Sequence, residues 1–148
     1  MSFALKGEMN MNIKNPTNDE IETLLKSAKT IAVVGLSDKL ERTSYQISQA
    51  MQQAGYKIIP VNPNIERVLG EKAYPSLKDI DEPIDIINVF RRSEYLPQIA
   101  QEATKTNCKV FWAQQGVKNK EAYDLLKKHR FTVIMDLCIK VAHSLIVK

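Results

Sequence analysis

Thr30-Ile31-Ala32-Val33-Val34-Gly35-Leu36-Ser37 decides the fold of this chain. The first five residues are β-branched or small and apolar, as expected of a strand buried on both faces. The run stops at Gly35 and opens into a polar turn, Asp38-Lys39-Leu40-Glu41-Arg42-Thr43-Ser44. Beyond the turn Ile47, Ala50, Met51 and Ala54 recur at helical spacing, and Gly55 supplies a stop. A strand, a glycine turn and a helix N-terminus in that order form a cradle for phosphate, because free backbone N–H groups and the positive end of the helix dipole converge on one spot. Lys39 and Arg42 add cations beside it.

The turn is not the dinucleotide fingerprint. That pattern needs G-x-G-x-x-G and an acidic residue about 20 positions further on to hold the ribose hydroxyls. Here Ser37 and Leu40 stand at the second and third glycine positions, and no Asp or Glu occurs between Arg42 and Ile65. The residues therefore disfavour NAD and favour a phosphate-bearing ligand whose ribose is held differently.

Working outward, four further short apolar runs read as strands: 57–61, 85–90, 109–113 and 131–135. Amphipathic helices are expected over 44–54, 94–106, 119–129 and 139–147, the second with Ser93 as N-cap. Thr17 and Glu20 form a capping box ahead of a helix reaching about Ala28. Residues 1–16 show no period and read as a loose leader, so the single domain is expected over 17–148. Strand–helix alternation at this spacing predicts an α/β fold, a doubly wound five-stranded parallel sheet with helices on both faces. The expected strand order is 3-2-1-4-5, with the ligand at the switch between strands 1 and 4.

That map gathers the unusual residues at the carboxyl ends of the strands. Val61-Asn62-Pro63 closes the second in a rigid turn. Phe90-Arg91-Arg92 closes the third and places two guanidinium groups beside a helix start, where the dipole disfavours cations unless an anion is bound. Ala113-Gln114-Gln115-Gly116 closes the fourth with amide donors and acceptors and a glycine that permits close approach. Trp112 reads as core, and Cys138 as a small buried hydrophobe. Neither His129 nor His143 falls at a strand end, and no base–nucleophile pair can be assembled.

Composition narrows the classes. The 148 residues fit one domain with a substantial core. The net charge of +4 is dispersed, with no basic stripe for nucleic acid. Cys108 and Cys138 lack metal-ligand spacing, and no segment resembles a signal peptide or membrane span. The reading is a cytoplasmic protein with reduced thiols.

Five blocks together resemble a known family: Val34–Lys39 with Arg42–Tyr45, Ile59–Pro63, Leu69–Leu77, Asp85–Ser93 and Trp112–Val117. They are similar to the small stand-alone CoA-binding proteins, single Rossmann-like domains like the N-terminal part of the succinyl-CoA synthetase alpha subunit. The resemblance covers about residues 17–145. It implies coenzyme A or an acyl-CoA as the small-molecule ligand, with the turn Ser37, Asp38, Lys39 and Leu40 over its phosphates; Gly35, Leu36, Arg42 and Ser44 are the further candidates of the cradle. It sets Val61-Asn62-Pro63 and Ala113-Gln114-Gln115 along the nucleotide part. It also implies binding without catalysis, since the synthetase's phosphorylated histidine belongs to another domain. The chain departs from the pattern at Asn64-Ile65, where a lysine is expected, and at Thr43 and Ile139, which replace prolines; the latter lets the last helix begin earlier. Two alternatives stand beside a binding module: a nicotinamide-dependent oxidoreductase, and a regulatory docking domain with CoA as its signal.

Overall fold

The computed structural model describes residues 12–147. Five parallel strands form the sheet: β1 (Thr30–Val34), β2 (Lys57–Val61), β5 (Ile86–Val89), β6 (Val110–Ala113) and β7 (Thr132–Ile134). A two-stranded antiparallel hairpin, β3 (Arg67–Val68) and β4 (Glu71–Lys72), lies in the connection from β2 to β5. The helices are α1 (Asn18–Ser27), α2 (Thr43–Gln53), α3 (Leu96–Ala103), α4 (Lys120–Lys128) and α5 (Ile139–Ile146).

Period-2 alternation divides the core into two layers. Ile31, Val33, Ile58, Ile86, Trp112 and Ile134 face one side and pack with residues of α1, α2 and α5. Ala32, Val34, Ile59, Ile87, Phe111 and Val133 face the other and pack with α3 and α4. Both faces are covered, which is why the strands read as nearly continuous apolar runs. Trp112 is fully buried and donates from Nε1 to Leu137 O at 2.8 Å, in keeping with a core role.

The strand order corrects the sequence reading. The sheet runs β2-β1-β5-β6-β7, so the third sheet strand lies beside the first rather than beyond the second. In order of appearance this is 2-1-3-4-5, not 3-2-1-4-5. The right-handed crossover rule permits both orders. The β2–β5 connection decides between them. It carries no α-helix, and its Leu77 packs on the sheet face opposite α2. Winding therefore reverses at β1, and the switch point falls between β1 and β5. The ends of those two strands are neighbours, with Phe90 N–H donating to Val34 O at 2.9 Å.

Local signals fared unevenly. The capping box is formed: Glu20 N–H donates to Thr17 Oγ1, and Thr17 N–H to Glu20 Oε1. The bonds that Thr17 N–H and the Thr17 hydroxyl donate to Glu20 Oε1 hold the Glu20 carboxyl below its ordinary pKa. Ser93 does not cap α3. It opens a 3-10 turn, Ser93–Tyr95, and its hydroxyl accepts from Lys118 N–H. Helix α3 begins later, at Leu96, with Pro97 in its first turn. Helix α5 begins at Ile139, where the absence of proline leaves an N–H that donates to Gln114. Of the leader expected over 1–16, residues 1–11 lie outside the described residues. Asn15 is docked beside the edge strand β7: its side chain donates to Met135 O and accepts from Met135 N–H.

Candidate functional site

Gly35 sits at the switch point with φ +88°. A β-carbon there would lie 2.7 Å from Phe90 O and 3.0 Å from Arg91 Cδ. The sequence reading assigned this glycine to ligand approach. Its first duty is structural, since it lets the ends of β1 and β5 come together.

Two cavities open over the carboxyl ends of the strands and meet here. One, of about 870 Å³, runs from Gly35 past Ser44 and Ile47 of α2 to Gln114, Gly116 and Cys138. The other, of about 700 Å³, runs past Val61-Asn62-Pro63-Asn64 to Ser76 and Gln98. Gly35, Arg42, Phe90, Arg91 and Arg92 line both. The result is a groove in two lobes across β2, β1, β5 and β6, with three arginines at the waist. All three are exposed, and none joins a salt bridge among the described residues. Arg91 lies over the Tyr95 ring, 4.6 Å from its centroid, which orients its guanidinium.

Helix α2 adds a second source of positive potential. Arg42 occupies its N-cap and makes no side-chain capping bond, so the first-turn N–H groups stay uncapped beside the arginines. The turn before it is partly self-satisfied: Ser37 N–H donates to the buried Ser44 hydroxyl at 3.0 Å, and Lys39 N–H to Ser37 Oγ at 3.1 Å. Ser37, Asp38, Lys39 and Leu40 line neither cavity, and Leu36 and Ala113 are fully buried. The other residues singled out from the sequence, from Gly35 to Gly116, are brought together around the groove.

Asn62 has a structural task as well. Its Nδ2 donates to Leu36 O at 2.9 Å and ties the end of β2 to that of β1, while its Oδ1 accepts from Asn64 N–H. The Gln114–Val117 turn is braced from the neighbouring strand end. Asp136, at φ +60°, accepts from Gly116 N–H at 2.6 Å and donates its own N–H to Val117 O. Residues that the sequence reading missed include Thr43, Ser93, Val117, Ser76 and Tyr95. Ser93 adjoins the arginine pair and Ser76 lies in the Leu69–Leu77 block, so both carried a signal. Tyr95 lacked one, because its place depends on the 3-10 turn.

The two thiols differ. Burial pushes the Cys108 thiol up to about 11, and it lies at the opposite end of the strands from the groove. Cys138 is also largely buried, yet it lines the larger lobe. A thiol reagent should therefore modify Cys138 well before Cys108 in folded protein, as mass mapping of the adducts would show; faster labelling of Cys108 would contradict this placement. The raised Cys108 value has a linkage consequence. The unfolded thiol ionises first, so this contribution to stability is complete below pH ~8.5 and falls as pH rises toward about 11.

A parallel doubly wound sheet with cationic groups and an open helix N-terminus at its switch point defines a Rossmann-like α/β domain. The CoA binding domain family matches residues 29–144, and the chain belongs to that family. It is 61% identical over 132 residues to the uncharacterized protein YneT of Bacillus subtilis strain 168, covering 89% of this chain and 98% of that protein. It is 28% identical over 113 residues to the ADP-forming acetate–CoA ligase II of Archaeoglobus fulgidus, covering 68% of this chain but only 17% of the ligase. A hypothetical protein from Pyrococcus horikoshii OT3 superposes with a TM-score of 0.86 at 30% identity, covering 91% of this chain and 97% of that one.

Proposed function

We propose that this domain binds coenzyme A, or an acyl-CoA, across the carboxyl ends of β2, β1, β5 and β6 and holds it without transforming it. The observation that carries this reading is the waist of the groove, where Arg42, Arg91 and Arg92 meet at Gly35 without acidic partners among the described residues. Unpaired guanidinium groups beside an uncapped helix N-terminus suit a diphosphate, which accepts paired N–H donors. The family supports the ligand class, and the matched ligase is by its name a CoA enzyme.

In this reading the diphosphate rests at the waist. The adenosine end follows the lobe beside Asn62-Pro63 and Ser76. The pantetheine arm follows the lobe beside Ile47, Gln114 and Cys138, which assigns Gln114 to the arm instead of the nucleotide part where the resemblance set it. The histidines take other roles: His129 Nδ1 lies 3.0 Å from Leu125 O, and His143 packs edge-on against Tyr56. Neither lines the groove, so no imidazole is placed to activate a nucleophile there.

CoA should raise the melting temperature by an amount that grows with its concentration, as linkage requires, whereas NAD and NADH should have little effect. Stronger protection by NAD than by CoA would overturn the reading. Purified protein should release free CoA from acetyl-CoA or succinyl-CoA no faster than buffer; protein-dependent thiol release would assign it a catalytic role instead.

A further inference from the structure

Gln114 is 5% exposed and lines the larger lobe. Its carboxamide has a fixed orientation. Oε1 accepts from Asn88 Nδ2 at 3.1 Å and from Ile139 N–H at 3.1 Å. Asn88 is itself buried at 2% and oriented by a second bond to Trp112 O. Two donors on one oxygen leave a single choice for the flip of the amide: Nε2 must point the other way. There it has no hydrogen-bond partner among the described residues, nor is it sealed in the core, where Ser48 Oγ is the one buried side-chain atom without a partner. The donor therefore opens on the lobe that Gln114 lines. An aligned but unmade donor at a nearly buried position is costly unless something accepts from it.

Position limits what that acceptor is. Neighbouring strands lie about 5 Å apart, so the end of β6 is about 5 Å from the end of β5 with Arg91, and about 10 Å from Gly35 on β1. In CoA, about five bonds separate the nearer phosphorus from the first amide carbonyl of the pantetheine arm, a reach of roughly 6 Å when extended at the 3.3–3.6 Å per three bonds of a peptide chain. The thioester lies several bonds further on and overshoots. Building on the CoA reading above, we propose that Gln114 is a specificity-determining residue whose Nε2 donates to an amide carbonyl of the pantetheine arm. It thereby selects ligands that carry a pantetheine arm over nucleotides that end at the phosphates. Asn88 and the first N–H of α5 act as positioning groups for that donor.

The test compares CoA with adenosine 3′,5′-bisphosphate, which has no arm. Gln114→Glu keeps an acceptor oxygen for Asn88 and Ile139 and removes the donor. Calorimetry should show CoA affinity falling roughly tenfold or more relative to that of the bisphosphate, the loss expected of a hydrogen bond that also leaves an unpaired group. The bisphosphate serves as the control for the added negative charge. Equal losses for both ligands, or no loss for either, would overturn the proposal. Should the variant fail to fold, the side-chain amide protons of Gln114 in wild-type protein decide by NMR: they should shift with CoA and not with the bisphosphate, and an unmoved resonance overturns the assignment. Wild-type protein that binds CoA while Gln114 fails these tests leaves the CoA reading intact. Wild-type protein that does not bind CoA removes both.

Discussion

Gly35→Val is expected to cost a large share of the fold's stability, and not merely its affinity for a ligand. Two penalties add at this position. A branched residue held at φ +88° is strained by about 1–3 kcal/mol. Its β-carbon would also meet Phe90 O at 2.7 Å, a backbone atom that cannot rotate away, and overpacking of this kind costs roughly another 1–3 kcal/mol. Against a total stability of about 5–15 kcal/mol for a domain of this size, the loss is large. Denaturant unfolding should show a much lower midpoint for Gly35→Val and an intermediate one for Gly35→Ala. By contrast Gly116, also at positive φ but with nothing within 4 Å of a built β-carbon, should lose only the conformational share when changed to Ala. A Gly35→Val protein as stable as wild type would mean that β1 and β5 do not meet in this way.

This clash also shows where sequence reading stopped. Gly35 was recognisable as a turn glycine because an apolar run ends on it. Its neighbour was not, since Phe90 and Arg91 are adjacent to it only if the third sheet strand pairs with the first. Periodicity locates strands but carries no information on which side of β1 the next strand lands. That was settled by the β2–β5 connection, whose hairpin strands are two residues each and too short to leave a period. The same limit affected the site. Arg42, Arg91, Arg92, Asn62 and Gln114 could be collected from strand ends under either order, because every carboxyl end faces the same edge of a parallel sheet. The duties of Asn88 and Asp136 could not, since each depends on a contact across the sheet or to a neighbouring strand end. The pairing within the turn Ser37 to Leu40 was illegible for a related reason. A polar turn after a glycine strand reads as a row of free donors, yet two of its N–H groups are taken by nearby hydroxyls.

Removing the arginines of the waist should have the second large effect. Each exposed guanidinium lacks an acidic partner among the described residues, so replacing it with Ala breaks no ion pair of the fold and should change stability little. Affinity is a different matter. A hydrogen bond between charged groups contributes about 1.5–3 kcal/mol, so loss of one phosphate-binding arginine should weaken CoA roughly 10- to 150-fold. The three sites are not equivalent. Arg91 is oriented by Tyr95 and packs its stem against Gly35, so it is already near its bound geometry and loses less side-chain entropy on binding. Arg42 sits at the N-cap of α2, where its charge adds to the helix dipole. Arg91→Ala should therefore be the most damaging of the single changes, with Arg91→Lys recovering only part of the loss because an ammonium cannot supply paired donors. Calorimetry with dephospho-CoA then assigns the phosphate: an arginine serving the diphosphate keeps its full effect, and one serving the 3′-phosphate loses it. Three single Ala variants that bind CoA like wild type would remove the waist from the site and place the ligand elsewhere on the molecule.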